Sequence, residues 1–181
     1  MLNATQSNTK KMVTLSMLSA ISVILVMLIR LPWPGAVFLE YDFADVPILI
    51  ATLMYGPYAG FLVTFVVSVI QGVTVSASSG IIGIIMHILA TGFYVLISGF
   101  IYKRANNTKG LAVALLFGAM VSTLTMLLWN VWFTPIFMGV PAKAVVNMLV
   151  PVMLPFNLIK TMANGVIVFV LYMLLRKLRI V

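Results

Sequence analysis

Long uncharged hydrophobic runs alternate with short polar gaps along the chain. No Asp, Glu, Lys or Arg occurs in residues 12–29, 46–102 or 110–142, and residues 144–175 contain only Lys160. A helix needs ~20 mainly apolar residues to cross a ~30 Å hydrocarbon core, so the runs hold several such helices. The runs are continuous rather than alternating at every second residue, which excludes a membrane β-barrel. The pattern predicts an all-α polytopic membrane protein.

Helix-breaking residues divide the longest run into three segments. Gly56-Pro57 separates the first pair of segments, and a stretch rich in Ser and Gly at residues 72–80 separates the next pair. The six predicted transmembrane helices are 12–29, 46–55, 57–71, one ending near residue 102, 111–133 and 150–175. The second helix would be only about 15 Å long at 1.5 Å per residue. It is therefore either a short packed helix or one arm of a re-entrant hairpin with the third.

The charges indicate how the chain lies in the membrane. Of 181 residues, 63% are hydrophobic and 8% charged, whereas about a quarter are charged in soluble domains. The net charge of +8 comes from residues that flank hydrophobic runs rather than form a patch, which argues against nucleic acid as a partner. Because cytoplasmic loops collect Lys and Arg, both termini and residues 103–109 should be cytoplasmic. The residues concerned are Lys10, Lys11, Lys103, Arg104, Lys109, Arg176, Lys177 and Arg179.

We expect a single transmembrane domain over residues 1–181, with residues 1–11 as a short cytoplasmic segment. No small-residue cleavage site follows the first run, so it should be a retained helix and not a signal peptide. Cysteine is absent, which excludes disulfides and thiolate metal sites. The chain also lacks a P-loop and the residue sets of hydrolytic catalysis. We therefore expect that the chain is not an enzyme and binds no cofactor or metal. If it takes part in active transport, the energy should come from another subunit.

The three acidic residues, Glu40, Asp42 and Asp45, all fall in the first extracellular loop. Aromatic residues such as Trp33 and Tyr41 accompany them. Two interpretations remain open. The loop is a lid or pocket wall, because loops often carry function, or its aromatic residues form a belt at the membrane interface.

Polar residues within the last two predicted helices indicate a binding pocket. Asn157, Lys160 and Asn164 are three and four residues apart, so they share one face of a helix. An intramembrane Lys is costly and is by default functional. Asn130 adds a third amide, from the preceding helix. The alternative is structural, because Lys160 could pair with an acid of the first loop and Asn side chains join membrane helices.

The pocket chemistry favours a neutral, planar, hydroxylated ligand. Asn side chains offer a donor and an acceptor together, which suits the edge of an amide-containing heterocycle. Trp129, Trp132 and Phe156 are candidates to pack on a flat ring. A single Lys without an intramembrane Arg is not expected to bind a phosphate group well. His87, the single histidine, has no neighbouring metal ligands in sequence and is expected to be a buried, hydrogen-bonded imidazole.

Several motifs, in this order along the chain, resemble those of a known family. They are residues 39–47 (LEYDFADVP), 55–60 (YGPYAG), 78–83 (SSGIIG), 86–87 (MH), 129–135 (WNVWFTP) and 155–160 (PFNLIK). With them, nearly the full chain resembles the substrate-binding S components of energy-coupling factor (ECF) vitamin transporters, most closely those specific for riboflavin. The resemblance implies a six-helix fold with a short second helix.

The resemblance also implies roles for particular residues. Asn130, Asn157 and Lys160 match polar flavin contacts, and Leu39 and Tyr41 match the loop that covers the ligand. Ser16 and Ala20, four residues apart on the first helix, match the small-residue motif that faces a transmembrane coupling protein, although Ala is usual at the first of these two positions. That protein and two ATPase subunits would supply the energy in a bacterial plasma membrane. The alternatives are an S component for another heterocycle, a stand-alone facilitator and a structural subunit without a ligand.

Overall fold

The computed structural model describes residues 2–178, so the predicted cytoplasmic residue Arg179 lies outside the described residues. Its elements are α1 (Leu2–Leu28), β1 (Leu31–Trp33), β2 (Ala36–Tyr41), α2 (Asp45–Tyr55), α3 (Pro57–Val73), a 3-10 turn (Ala77–Ser79), α4 (Gly80–Ala105), α5 (Thr108–Met138), α6 (Ala142–Met148), a π-helical turn (Leu149–Met153) and α7 (Leu154–Lys177).

The long helices have the length and apolarity of membrane spans. Four stretches within the described residues qualify: Asn8–Leu28, Ala77–Ala105, Thr108–Met138 and Ala142–Lys177. Their outer faces carry large exposed apolar side chains, for example Phe117 and Leu128. Such faces suit lipid tails rather than water. The all-α membrane fold predicted from the sequence is confirmed, whereas the count of six crossings and the cytoplasmic side of the termini stay predictions.

The short second helix is a packed element. Residues 45–53 of α2 are all buried, and the helix contacts α1, α3, α4 and α7. Gly56 ends α2 with φ of 92°, a value that L side chains rarely adopt. Pro57 then opens α3 at a position where its missing N–H costs no hydrogen bond. The Gly-Pro break predicted from the sequence is therefore confirmed.

The remaining helices approach closely through small residues. A Cβ built on Gly118 of α5 would collide with Ser98 and Tyr94 of α4. One on Gly165 of α7 would lie 2.6 Å from the Tyr94 hydroxyl oxygen. Tyr94 is itself almost completely buried and donates a hydrogen bond to the Thr161 carbonyl at 3.0 Å. Tyr94 thus joins α4, α5 and α7 beneath the site described next.

Three features differ from the predicted elements. The first loop contains an antiparallel hairpin, in which Leu31 pairs with Tyr41 and Pro32 with Glu40. We call residues 31–41 the loop hairpin. The predicted helix 150–175 is wrong at its start, because α6 and a π-helical turn precede α7. Pro151 lies in that turn and Pro155 in the first turn of α7, where a proline N–H is not needed. The fifth helix continues past residue 133 to Met138.

Candidate functional site

A cavity lies between the loop hairpin and helices α3, α4, α5 and α7. Its volume is about 210 Å³. A single water needs only ~10–15 Å³ of such space, so the cavity has room for a small organic molecule. Four of the six predicted ligand-binding residues line it: Leu39, Asn130, Asn157 and Lys160. The other two, Tyr41 and Asn164, are not among the lining residues.

Lys160 pairs with Asp42 at one wall of the cavity. The distance from Nζ to Asp42 Oδ2 is 2.8 Å, and both side chains are largely buried. Burial alone would raise the pKa of the Asp42 carboxyl, but the Lys160 ammonium, aided by the Ala44 N–H, holds that pKa below its usual range. The structural ion pair considered from the sequence is therefore present. It uses one of the three N–H donors of the ammonium, so two remain for a ligand.

Asn164 fastens the loop hairpin to α7 from behind the cavity. Its Oδ1 accepts from the Tyr41 hydroxyl at 3.0 Å. Its Nδ2 donates to the Asp42 carbonyl at 3.2 Å and to Asp45 Oδ2 at 3.3 Å. Thr91 of α4 donates to the other Asp45 oxygen at 2.6 Å. These bonds fix the hairpin, the start of α2 and α4 relative to Asn164.

The two predicted amides that line the cavity, Asn130 and Asn157, keep unused hydrogen-bonding capacity. Asn130 donates to the Met126 carbonyl at 2.6 Å and accepts from Thr134 at 2.7 Å. Asn157 donates to the Met153 carbonyl at 2.8 Å. An amide has two N–H donors and two acceptor lone pairs, so Asn130 retains one of each. Asn157 retains one donor and both lone pairs, which makes its oxygen the freer acceptor at this wall.

Aromatic side chains cover much of the remaining lining. Phe133 and Phe137 of α5 and Phe156 of α7 contribute. Trp33 of the hairpin packs edge-on against Phe156 with ring centroids 5.5 Å apart. Two of the predicted ring contacts are not found at the cavity: Trp129 and Trp132 lie on the outer side of α5, and Trp132 is 73% exposed.

His87 is hydrogen-bonded, as predicted, and largely buried, with 14% of its side chain exposed. Its Nδ1 lies 2.7 Å from Ser68 Oγ, and its Nε2 lies 3.9 Å from Asp45 Oδ1. Within residues 2–178 no group of three or more His, Cys, Asp or Glu side chains is placed to hold a metal ion. Among the described residues that line the cavity, the Lys and Arg side chains are Arg30 and Lys160. They do not form a cluster of positive charges of the kind that binds phosphate.

Sequence reasoning missed the residues on the α3–α4 side of the cavity. Gln71, Ser76 and Ser79 line it, as does Arg30. Arg30 forms an ion pair with Glu40 of the hairpin and donates to the Val75 carbonyl at 2.9 Å. Gln71 lies in the last turn of α3 and the others lie outside the long helices, so none stands in the middle of a hydrophobic helix as Lys160 does, and the sequence carries no comparable signal. Their proximity depends on the hairpin folding over the end of α3.

The two residues predicted to contact a coupling protein lie away from the cavity. Ser16 and Ala20 are both exposed on one side of α1. Ser19 points inward, is buried and donates to the Leu15 carbonyl at 2.8 Å. The small pair therefore faces outward, among exposed methionines such as Met17.

A bundle of apolar helices that encloses a polar and aromatic cavity defines a membrane protein that binds a small molecule. A model of the family described as "ECF transporter, substrate-specific component" matches residues 10–172. The chain belongs to this family. Because the family consists of transport components, the chain is not an enzyme.

Curated relatives and solved structures agree with this assignment. The chain is 37% identical over 175 residues to "Riboflavin transporter FmnP" of Bacillus subtilis (strain 168), covering 92% of this chain and 90% of that one. It is 30% identical over 170 residues to "Riboflavin transporter RibU" of Staphylococcus aureus (strain TCH60), covering 90% and 88%.

Among solved structures, an S component of a bacterial ECF transporter superposes with a TM-score of 0.84 at 30% identity and covers 94% of this chain and 98% of that one. The S-component for biotin from an ECF-type ABC transporter gives a TM-score of 0.62 at 18% identity over 92% of this chain and 93% of that one, which shows the shared fold alone.

Proposed function

We propose that this chain is the riboflavin-binding subunit of an ECF-type transporter, and that it captures the vitamin from outside for ATP-driven uptake. The observation that carries the proposal is that Lys160 and Asn157 keep unused hydrogen-bonding atoms beside aromatic rings in one cavity. Such a cavity is complementary to a flat heterocycle with a polar edge. The relatives named above as riboflavin transporters support riboflavin as that heterocycle. Riboflavin is then the transported ligand, not a cofactor.

In this proposal, Asn130, Asn157 and Lys160 hydrogen-bond the ligand, and Leu39 covers it from the loop hairpin. All four line the cavity. Tyr41 and Asn164 act differently from the sequence-based expectation of direct contact. Their mutual hydrogen bond holds the hairpin in its closed position. Ligand entry would require the hairpin to move, because its residues 38–40 form part of the cavity wall.

The same proposal assigns the chain's place in a larger assembly. The whole chain, residues 1–181, acts as one substrate-binding domain in the bacterial plasma membrane, with six crossings and both termini cytoplasmic. A transmembrane coupling protein docks on the α1 face that carries Ser16 and Ala20, and two ATPase subunits drive the cycle. Small residues four apart permit close helix approach, which supports this docking face.

The visible absorption spectrum of the detergent-purified protein tests the ligand. A flavin band that persists after desalting is expected after expression in riboflavin-containing medium. Proteoliposomes then test the coupling. Riboflavin uptake should require the coupling protein, the ATPases and ATP together. Uptake by the chain alone would favour a stand-alone facilitator, and a protein that never retains or binds flavin would remove riboflavin as the ligand.

The nearest alternative is an S component for another heterocycle. It would share the fold, as the 18% identical biotin S-component does, and would differ in cavity residues. Flavin binding that other vitamins fail to displace would exclude this alternative.

A further inference from the structure

Two buried polar atoms without hydrogen-bond partners lie on the α3–α4 side of the cavity. Three such side-chain atoms occur in the part of the chain that the structure describes: Gln71 Oε1, His87 Nε2 and Ser98 Oγ. The first two belong to residues that line the cavity. Buried polar groups in native proteins nearly always have partners, so each exception requires an explanation. A ligand in the cavity is the simplest source of the missing partners.

The hydrogen bonds around His87 determine what its free nitrogen can do. Ser68 Oγ donates its single proton to the Thr64 carbonyl at 2.6 Å. It must therefore accept from His87 Nδ1–H at 2.7 Å. In the neutral ring this leaves Nε2 without a proton, as an acceptor. The nearby Asp45 Oδ1, 3.9 Å away, is also an acceptor and already takes the Thr91 proton. The group that satisfies Nε2 must be a donor.

Gln71 offers both kinds of hydrogen-bonding atom. Its side-chain amide makes no hydrogen bond to the described residues, and of its two polar atoms only the oxygen is fully buried. A half-turn of the amide exchanges oxygen and nitrogen without changing the shape of the side chain. Gln71 can thus accept from or donate to a ligand. Ser76 and Ser79 bring two more hydroxyls to the same wall.

We propose that Gln71 and His87, with Ser76 and Ser79, form a second recognition wall that hydrogen-bonds the hydroxyl groups of the ligand's polar chain. Each hydroxyl group both donates and accepts, which matches a wall that presents one acceptor nitrogen, one reversible amide and two hydroxyls. The heterocycle edge has fixed donors and acceptors and is better matched by Lys160 and Asn157 of α7. This inference rests on the proposed function, with the ribityl chain of riboflavin as the hydroxylated group.

The test compares riboflavin with lumiflavin, which has the same ring but a methyl group in place of the ribityl chain. Both dissociation constants are measured on the purified protein, riboflavin by fluorescence quenching and lumiflavin by competition. Gln71→Met keeps the length of the side chain and removes its hydrogen bonds. Ile70→Met, one residue away on an exposed part of α3, is the matched control. Thermal unfolding and elution profile verify the fold of both variants.

We expect Gln71→Met to bind riboflavin roughly 3- to 10-fold more weakly, as for one lost hydrogen bond, and to bind lumiflavin unchanged. Ile70→Met should alter neither constant. Unchanged riboflavin affinity in Gln71→Met, or equal weakening for both flavins, would overturn the second wall. If Gln71→Met does not fold, His87→Phe is measured in the same way with the same two outcomes. Failure of the unmodified protein to bind riboflavin is a different result, which removes the proposed function and this inference together.

Discussion

Lys160 has both a structural and a ligand-facing position. A buried ammonium is tolerated because Asp42 lies 2.8 Å away and carries the opposite charge. The remaining donors of the ammonium are available to the cavity that the residue lines. Removing one partner of a buried pair leaves an uncompensated charge, which is more costly than removing both. Single substitutions at Lys160 therefore mix effects on folding with effects on binding.

A double substitution separates these two roles. Lys160→Met alone should lower the free energy of unfolding by about 3–5 kcal/mol, because Asp42 is left buried and charged. Adding Asp42→Asn should restore most of that stability, since an Asn at position 42 can still accept from the Ala44 N–H. Riboflavin affinity should stay at least tenfold weaker in the double variant. Unfolding in mixed micelles and fluorescence titration measure the two quantities. Recovered affinity in the double variant would mean that Lys160 is only structural.

Asn157 provides a second residue-level prediction. Asn157→Ala removes an acceptor that faces the cavity, so riboflavin binding should weaken by about 1–3 kcal/mol. Asn147→Ala, at an exposed position of α6, is the matched control and should leave binding unchanged. Isothermal titration of both variants measures the difference. Equal affinity in the two variants would remove Asn157 from the site.

The sequence predicted the polar residues of the site better than its aromatic ones. Asn157 and Lys160 were recognisable because polar residues are rare and costly within apolar helices. Trp129 was a candidate ring contact and is adjacent to Asn130, but neighbouring residues on a helix point about 100° apart. Residues three and four positions away share a face. Phe133 and Thr134 are in those positions and do line the cavity.

Among the elements, the loop hairpin is the one that completes the site. Its Glu40 pairs with Arg30, and Arg30 also donates to the Val75 carbonyl beyond α3. Three chain segments are thus joined at the edge of the cavity. The hairpin was not predicted, because its strands are short and their pairing depends on the turn at Gly35, where φ is 84°. The interpretation of this loop as a pocket wall agrees with the position of its residues 38–40.

The Arg30 contacts should slow ligand release. Arg30→Gln weakens the link between the hairpin and residue 75, so bound riboflavin should dissociate faster. A partly exposed ion pair contributes up to about 1 kcal/mol, which corresponds to an increase of up to about fivefold in the dissociation rate. Stopped-flow fluorescence after dilution or displacement measures the rate, with Lys143→Gln at an exposed position as control. An unchanged rate in Arg30→Gln would show that the hairpin does not limit release.

Helix boundaries were less predictable than helix existence. Residues 142–177 form one apolar stretch, and hydropathy alone does not show that a π-helical turn divides it at Leu149–Met153. The prolines at 151 and 155 indicate a disturbance but do not give its geometry. The turn matters for the site because α7, which carries Asn157 and Lys160, begins directly after it.

For the whole molecule, exposed apolar faces do not distinguish lipid contact from protein contact. The outer sides of α1, α3 and α5 are all apolar. The coupling function of Ser16 and Ala20 therefore stays a prediction, although their exposure on one side of α1 is compatible with it. The helical membrane fold, in contrast, could be predicted from hydropathy and from the Gly-Pro break, because the bilayer requires helices of a defined length.

A larger side chain on the α1 face that carries Ser16 and Ala20 should impair assembly with the coupling protein without impairing riboflavin binding. Ala20→Leu adds a branched side chain where close helix approach is predicted, so co-purification with the coupling protein should be lost. Riboflavin affinity should be unchanged, because Ala20 is exposed on α1 and is not among the cavity-lining residues. Val113→Leu, on the exposed side of α5, is the control. Normal assembly of Ala20→Leu would move the docking face elsewhere.

The central claim is that the cavity between the hairpin and α7 binds riboflavin. Titration of riboflavin with the purified protein, followed by flavin fluorescence, tests it most directly. We predict saturable quenching at one riboflavin per chain, strongly weakened when Lys160→Met is combined with Asp42→Asn. Flavin fluorescence that does not change on addition of the folded protein would contradict the account.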